Sequence, residues 1–375
     1  MEKIKLAAPC LFGIESIAAD EFRRMGFEDA VAENGRVRLS GSFNMLARAN
    51  ICSRFAERIL INLGEFSAVT FTELFDGVRA LPWENYIGRD DAFPVNGWSI
   101  SSQLFSIPDC QSIIKKAIVE RLKTKYHLSR FSETGAEYRV RFSIHKNNVT
   151  MMIDTSGEGL HKRGYRRNSN SAPIKETLAA AMCALARIYP DTQMYDPFCG
   201  SGTLLIESAL MAANIAPGLR RFFAAERFGF IPESVWREER TRAQDLILHN
   251  VDFRAHGSDI DKAAAELTLE NARRAGVLKY VSAKAGDIHN FSLPEERCLT
   301  VTNPPYGERL LDVKAAEELY AVMGNRFNPG YGRKYFIISP DDEFERFFGR
   351  TADKRRKLYN GMLKCQLYMY FKNNN

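Results

Sequence analysis

YDPFCGSGTLLIESA, residues 195–209, carries the strongest fold signal in the chain. A short strand pattern ends at Asp196, two glycines follow at 200 and 202, and a helical pattern opens directly behind them. Glycines there let the backbone turn sharply and approach a ligand ahead of a helix N-terminus. The spacing excludes the commoner nucleotide loops. No lysine follows for a phosphate-binding Walker loop, and Leu205 stands where a dinucleotide fingerprint needs its third glycine. Asp196 would repel a pyrophosphate and suits a ligand bearing an amino group or a cation.

Strands and helices alternate around this loop. Helices are predicted over 173–188 (with Pro173 in the first turn), 202–215, 262–276 and 315–327; strands are predicted over 193–198, 254–261, 281–288, 298–305 and 334–340. RRKLYNGMLKCQLYMYF, 355–371, reads as a hairpin turning at Asn360-Gly361. The fold class is therefore α/β, a mostly parallel Rossmann-like sheet with an antiparallel C-terminal hairpin.

The first half is α+β. Strands are predicted over 4–10, 35–41, 59–66 and 97–105, with two more around a His-Lys-Asn-Asn turn in 137–156. Helices are predicted over 13–26, 43–60, 70–81 and 106–127. In the last of these Ile114, Ala117, Ile118 and Leu122 share a face, and Lys115, Lys116 and Lys123 lie off it. SGEGLHKRGYRRNSNSA, 156–172, has the composition of a basic linker, with Lys162, Arg163 and Arg166 as candidate RNA contacts.

Fifty-two Lys and Arg against 46 Asp and Glu give a net charge of +6, which fits a polyanionic partner without requiring one. Basic residues cluster at 161–167, 220–221 and 353–357. Seven cysteines without a C-x-x-C pair and six scattered histidines predict neither disulfides nor metal, and a reducing cytoplasm. The acids at Glu15, Asp20 and Glu21 argue against a signal peptide, and no apolar run is long enough for a membrane span.

Three further segments fall at predicted strand ends, where ligands of such sheets bind. GSDID (257–261) places Asp259 to accept both hydroxyls of a ribose, and GDI (286–288) places Asp287 to accept from an adenine amino group. S-adenosylmethionine (SAM), cationic and free of phosphate, fits these acids. In NPPYGER (303–309), Asn303 and the next backbone carbonyl are acceptors stiffened by Pro304 and Pro305, and Tyr306 offers a ring for stacking. Two fixed acceptors match the two hydrogens of an exocyclic amino group. They favour the nitrogen as it pyramidalises and gains positive charge in the transition state.

In their order and content these segments resemble the amino-directed SAM-dependent methyltransferases, whose hallmark is an (N/D)PP(Y/F) tetrapeptide. With LAAPCLFGIESIAADEF, DTSGEGLHKRGYR and APIKETLAAA, the chain is most similar to THUMP-domain RNA methyltransferases related to the 23S rRNA guanine-N2 enzyme. The resemblance implies a ferredoxin-like piece (1–50), a THUMP RNA-binding module (51–155), a basic linker (156–172) and a methyltransferase domain (173–375). It places Asp196, Phe198, Gly200, Gly202, Thr203 and Glu176 on the methionine side of SAM. Asp259 and Asp287 hold the nucleoside, and Asn303, Pro304 and Tyr306 hold the base, Asn303 serving both ligands. Larger relatives carry a second methyltransferase domain for which 375 residues leave no room, so at most one of their two activities is expected. The implied substrate is guanine N2 in 23S rRNA, with tRNA second. An adenine-N6 methyltransferase of DNA or RNA, a release-factor glutamine methyltransferase and a non-catalytic RNA-binding protein are the other readings.

Overall fold

A computed structural model describes residues 3–128, 130–166, 174–294, 297–306, 313–330 and 332–372. Pro173, the end of the linker at 167–172 and residues 307–309 of the tetrapeptide segment lie outside them.

The first half contains β1 (Ile4–Pro9), α1 (Glu15–Arg24), β2 (Val31–Glu33), β3 (Arg36–Gly41), α2 (Phe43–Cys52), β4 (Leu60–Ser67), α3 (Phe71–Ala80), β5 (Val95–Ile100), α4 (Ile107–Tyr126), β6 (Val140–His145) and β7 (Asn148–Asp154). Its strands form one sheet in the order β2-β3-β1-β4-β7-β6-β5, antiparallel except for β5 on β6. Local chemistry sets several ends. Thr70 and Glu73 form a reciprocal capping box on α3. Lys146 and Asn147, both at positive φ, make the tight β6–β7 turn.

The strand expected over 97–105 runs instead from Val95 to Ile100. The helix expected over 43–60 ends at Cys52, because the buried Glu21 carboxylate accepts from Ser53 Oγ (2.8 Å) and the Arg54 N–H (2.9 Å) and draws the chain out of the helix. The boundary expected after residue 50 falls inside α2. β2 was too short to show a pattern.

The second half contains α5 (Glu176–Ala186), β8 (Gln193–Asp196), α6 (Thr203–Ala212), α7 (Glu233–Asp245), β9 (Arg254–Asp259), α8 (Lys262–Ala275), β10 (Val281–Ala285), β11 (Leu299–Thr302), α9 (Val313–Arg326), β12 (Lys334–Ser339), α10 (Phe344–Phe348), β13 (Lys354–Asn360) and β14 (Leu363–Tyr370). The sheet order is β10-β9-β8-β11-β12-β14-β13: five parallel strands and an antiparallel edge hairpin, as expected. β11 is buried throughout, as a central parallel strand must be. The hairpin turn sits one residue later than expected, at Gly361 and Met362. α7, rich in both charges, showed too few apolar positions to be read as a helix.

One apolar core runs through both halves, from Leu6 and Phe22 to Leu205 and Val301, and a smaller one around Tyr320, Phe327 and Phe344 lies under β12 and β14. Polar contacts also join the halves. Arg48 forms a two-pronged bond with Glu239 (2.7 and 2.8 Å), and Thr177 Oγ1 donates to Glu57 Oε1 (2.6 Å).

Candidate active site

A cleft of about 670 Å³ opens at the carboxyl ends of β8, β9, β10 and β11. Asp196, Phe198, Gly200, Thr203, Asp259, Asp287, Asn303, Pro304 and Tyr306 all line it. Nine of the expected residues thus come together from four separate strand ends.

The glycine loop is shaped by its backbone. Gly200 and Gly202 lie at φ +52° and +81°, and Gly202 caps α6 so closely against α8 that a Cβ would fall 2.7 Å from Thr268 Cγ2. Gly202 therefore builds the turn and is not itself in the cleft lining. α8 secures the loop from below: Thr268 Oγ1 donates to the Gly200 carbonyl (2.9 Å) and Asn271 Nδ2 to that of Ser201 (3.0 Å). Their place three residues apart on the inward face of a helix was the available sequence signal.

Asp259 joins the loops, accepting from the Gly200 N–H (2.9 Å) and the Asp261 N–H (3.0 Å). Asp287 accepts from both the backbone and the ring of His289, and these bonds hold its pKa below the usual carboxylate value. Asp196 behaves oppositely. It is almost fully buried, and desolvation pushes its pKa up to about 7 against the opposing bonds from Thr302 Oγ1 (2.6 Å) and the Phe198 N–H (3.1 Å). Nearby Asp259 raises it further.

Asn303 Oδ1 is buried without a hydrogen-bond partner among the described residues. Leaving such an acceptor unmade costs about 1–3 kcal/mol, so it marks a place for a donor. Tyr306 is buried with its hydroxyl bonded to Asn360 Nδ2 (3.0 Å), a partner that lies 54 residues away in sequence and was not anticipated. Four aspartates and no Lys or Arg among the described lining residues make the cleft suited to a cation. SAM fits this donor set.

The candidate RNA contacts divide. Lys116 and Lys162 are exposed, the latter paired with Glu158 (3.2 Å), and half-buried Lys123 pairs with Glu120 (3.1 Å). Lys115 is held by Glu133 (2.6 Å) and over the Phe93 ring. Arg163 is not available to RNA. Its side chain is 2% exposed, paired with Glu207 (3.4 Å) and donating to the Leu160 and Arg54 carbonyls (2.6 Å each). Arg166 also turns inward, to Glu176 (2.9 Å), Thr203 Oγ1 (3.3 Å) and the Ile174 carbonyl (3.2 Å). Glu176 lies behind the cleft wall and does not line it.

No helix among the described residues is long and apolar enough to cross a membrane, and none of their His, Cys, Asp and Glu side chains group to hold a metal.

A five-stranded parallel sheet with a glycine loop and acids at successive strand ends is the architecture of a SAM-dependent methyltransferase. Residues 163–369 match the family described as RMKL-like, methyltransferase domain; residues 5–60 match the RlmL ferredoxin-like domain and 68–154 the THUMP domain. The chain belongs to the RMKL-like methyltransferase family. It is 41% identical over 373 residues to the "Putative RNA methyltransferase YpsC" of Bacillus subtilis, covering 99% of this chain and 97% of that protein. It is 32% identical to the "Ribosomal RNA large subunit methyltransferase K/L" of Psychromonas ingrahamii over 96% of this chain and 49% of that protein. The solved structure of SMU.472, "a putative methyltransferase complexed with SAH", superposes with a TM-score of 0.94 at 41% identity, with full coverage of both chains.

Proposed function

We propose that the protein uses SAM to methylate an exocyclic amino group of a base in RNA, specifically guanine N2 in 23S rRNA. The observation that carries the chemistry is the unpartnered, buried Asn303 Oδ1 in a cleft whose other walls are acidic. Bound SAM supplies an electrophilic methyl group on a sulfonium. In this reading Asp196 meets the ammonium beside Phe198, Gly200 and Thr203, Asp259 the ribose and Asp287 the adenine. Asn303 Oδ1 and the Pro304 carbonyl accept the two amino hydrogens of the target base, and Tyr306 packs on its face. Fixed acceptors cost no reorganisation as positive charge grows on the nitrogen.

The RNA substrate is supported by the THUMP match and by the two relatives named for RNA and ribosomal RNA. We further propose that the chain is organised as a ferredoxin-like piece, a THUMP module, a short basic connection and the methyltransferase domain. Exposed lysines of the first half, Lys116 among them, meet phosphates, which makes binding salt-dependent.

The test is incubation of purified protein with methyl-labelled SAM and separate pools of unmodified 23S rRNA, 16S rRNA, tRNA and DNA, with nucleosides identified by mass. N2-methylguanosine in 23S rRNA is expected. Label confined to tRNA would move the substrate, and label confined to DNA or protein would overturn the RNA reading.

A further inference from the structure

The basic run DKRRK, 353–357, takes no part in the cleft. Most of it forms the first half of β13, the outermost strand of its sheet. β14 runs antiparallel to β12, with Gln366 opposite Ser339, the last residue of β12. The hairpin therefore continues past the carboxyl ends of the parallel strands, the edge on which the cleft opens. At ~3.3 Å per residue its tip, Gly361 and Met362, stands roughly 10 Å beyond β12.

This tip is anchored on two sides. Asn360, buried at its base, donates to the hydroxyl of Tyr306 in the cleft wall (3.0 Å). From the first half, Phe12 meets Tyr359 edge-on with ring centroids 6.1 Å apart. Arg356 Nε donates to the Gly13 carbonyl (2.8 Å), and a Cβ on Gly13 would fall 2.4 Å from the Lys357 carbonyl oxygen. At the end of this arm Met362 is 98% exposed, and Phe12, against Tyr359, is 51% exposed. Exposed Lys357 lies over the Tyr359 ring (5.3 Å), and exposed Lys364 pairs loosely with Asp342 (3.8 Å). Met362 contributes nothing to the core, and the flanking cations suit a polyanion.

We propose that this hairpin tip is the wedge that holds RNA open at the target nucleotide, Met362 entering the stack beside the displaced base while Lys357 and Lys364 meet adjacent phosphates. The proposal rests on the RNA reading above. A base inside structured RNA must leave its stack to reach Asn303, at a cost of a few kcal/mol. Apolar side chains inserted between base steps are a known means of holding such a gap. The Asn360–Tyr306 bond fixes the wedge relative to the base pocket.

Met362→Ala and Met362→Leu are compared with the unsubstituted protein on a 23S rRNA transcript folded with magnesium and on the same transcript with magnesium withheld. SAM binding by calorimetry reports that the fold is intact. Met362→Ala is expected to lower kcat/KM at least about tenfold on the folded transcript, less than about threefold on the loosened one, with Met362→Leu recovering most of the loss. A Lys357→Ala/Lys364→Ala variant is expected to reduce the salt dependence of RNA binding. An undiminished rate of Met362→Ala on folded RNA, or an equal loss on both forms, overturns the wedge while leaving the RNA reading standing. Failure of the unsubstituted protein to methylate any RNA overturns both.

Discussion

Thr302 donates its hydroxyl to Asp196 Oδ1 across 2.6 Å, tying the strand end that carries Asn303 to the most buried acid of the cleft. Burial raises the Asp196 pKa to about 7, and the Thr302 bond opposes that rise. A cationic ligand favours the ionised carboxylate, so SAM binding releases a proton wherever Asp196 is protonated beforehand. SAM affinity should therefore strengthen with pH, with Kd about tenfold weaker near pH 6 than near pH 8. Thr302→Val should move the midpoint upward. Calorimetry across this range checks both, and a flat profile would remove Asp196 as the partner of the ammonium. In the ligand-free protein the sign for stability is opposite. With its folded pKa above the unfolded value of 3.8, Asp196 contributes stability in full below that value and loses it as pH rises through about 7.

Asn303→Ala should separate binding from chemistry. The substitution removes the unpartnered acceptor but none of the cleft aspartates. SAM affinity should change less than about threefold, while turnover falls roughly 100- to 1,000-fold, the usual loss for one preorganised transition-state contact. Single-turnover assays with saturating RNA make the comparison. Unchanged turnover would take Asn303 out of the reaction.

The cleft was legible because its chemistry is local in sequence. Each acid sits at the end of a short strand, and glycine or proline beside it announces a turn. What was not legible depends on contacts between distant segments. Asn360 reaches Tyr306 only because the edge hairpin folds back along β12. Arg163 looked like part of a solvated basic strap, since nothing near it in sequence reveals Glu207 or the Arg54 carbonyl. The same blindness applies to the junction between the halves. Arg48 and Glu57 bond to Glu239 and Thr177, so cutting the chain at residue 155 would strip the partners of two buried residues of the methyltransferase domain. RNA contacts are better probed by single surface substitutions.

Arg163 supplies one such contrast. Among the described residues, Arg163→Met leaves the buried Glu207 carboxylate with Tyr165 Oη as its remaining side-chain donor at 3.0 Å. Removing one partner of a buried ion pair costs about 3–5 kcal/mol, so a large drop in denaturant midpoint is expected. Lys116→Ala should leave that midpoint unchanged and make the salt dependence of RNA binding less steep by about 0.7–0.9 in log–log slope. If Arg163→Met instead kept full stability and lost RNA affinity, the inward orientation of its guanidinium would not be what matters in solution.

Arg166 poses the same question nearer the cofactor. Its guanidinium bridges Glu176 (2.9 Å), the Ile174 carbonyl (3.2 Å) and Thr203 Oγ1 (3.3 Å), and both Ile174 and Thr203 line the cleft. Burial raises the pKa of Glu176, and Arg166 is the largest influence holding it down, so losing the arginine favours a protonated Glu176 and a looser wall. Arg166→Ala should weaken SAM binding roughly tenfold, or about 1.4 kcal/mol, without altering the salt dependence of RNA binding. Arg166→Lys should recover little, because one ammonium cannot reproduce a planar fork that reaches three oxygens at once. Calorimetry with SAM and RNA titrations at several salt concentrations separate the two roles. A changed salt slope with intact SAM affinity would return Arg166 to the RNA-binding surface.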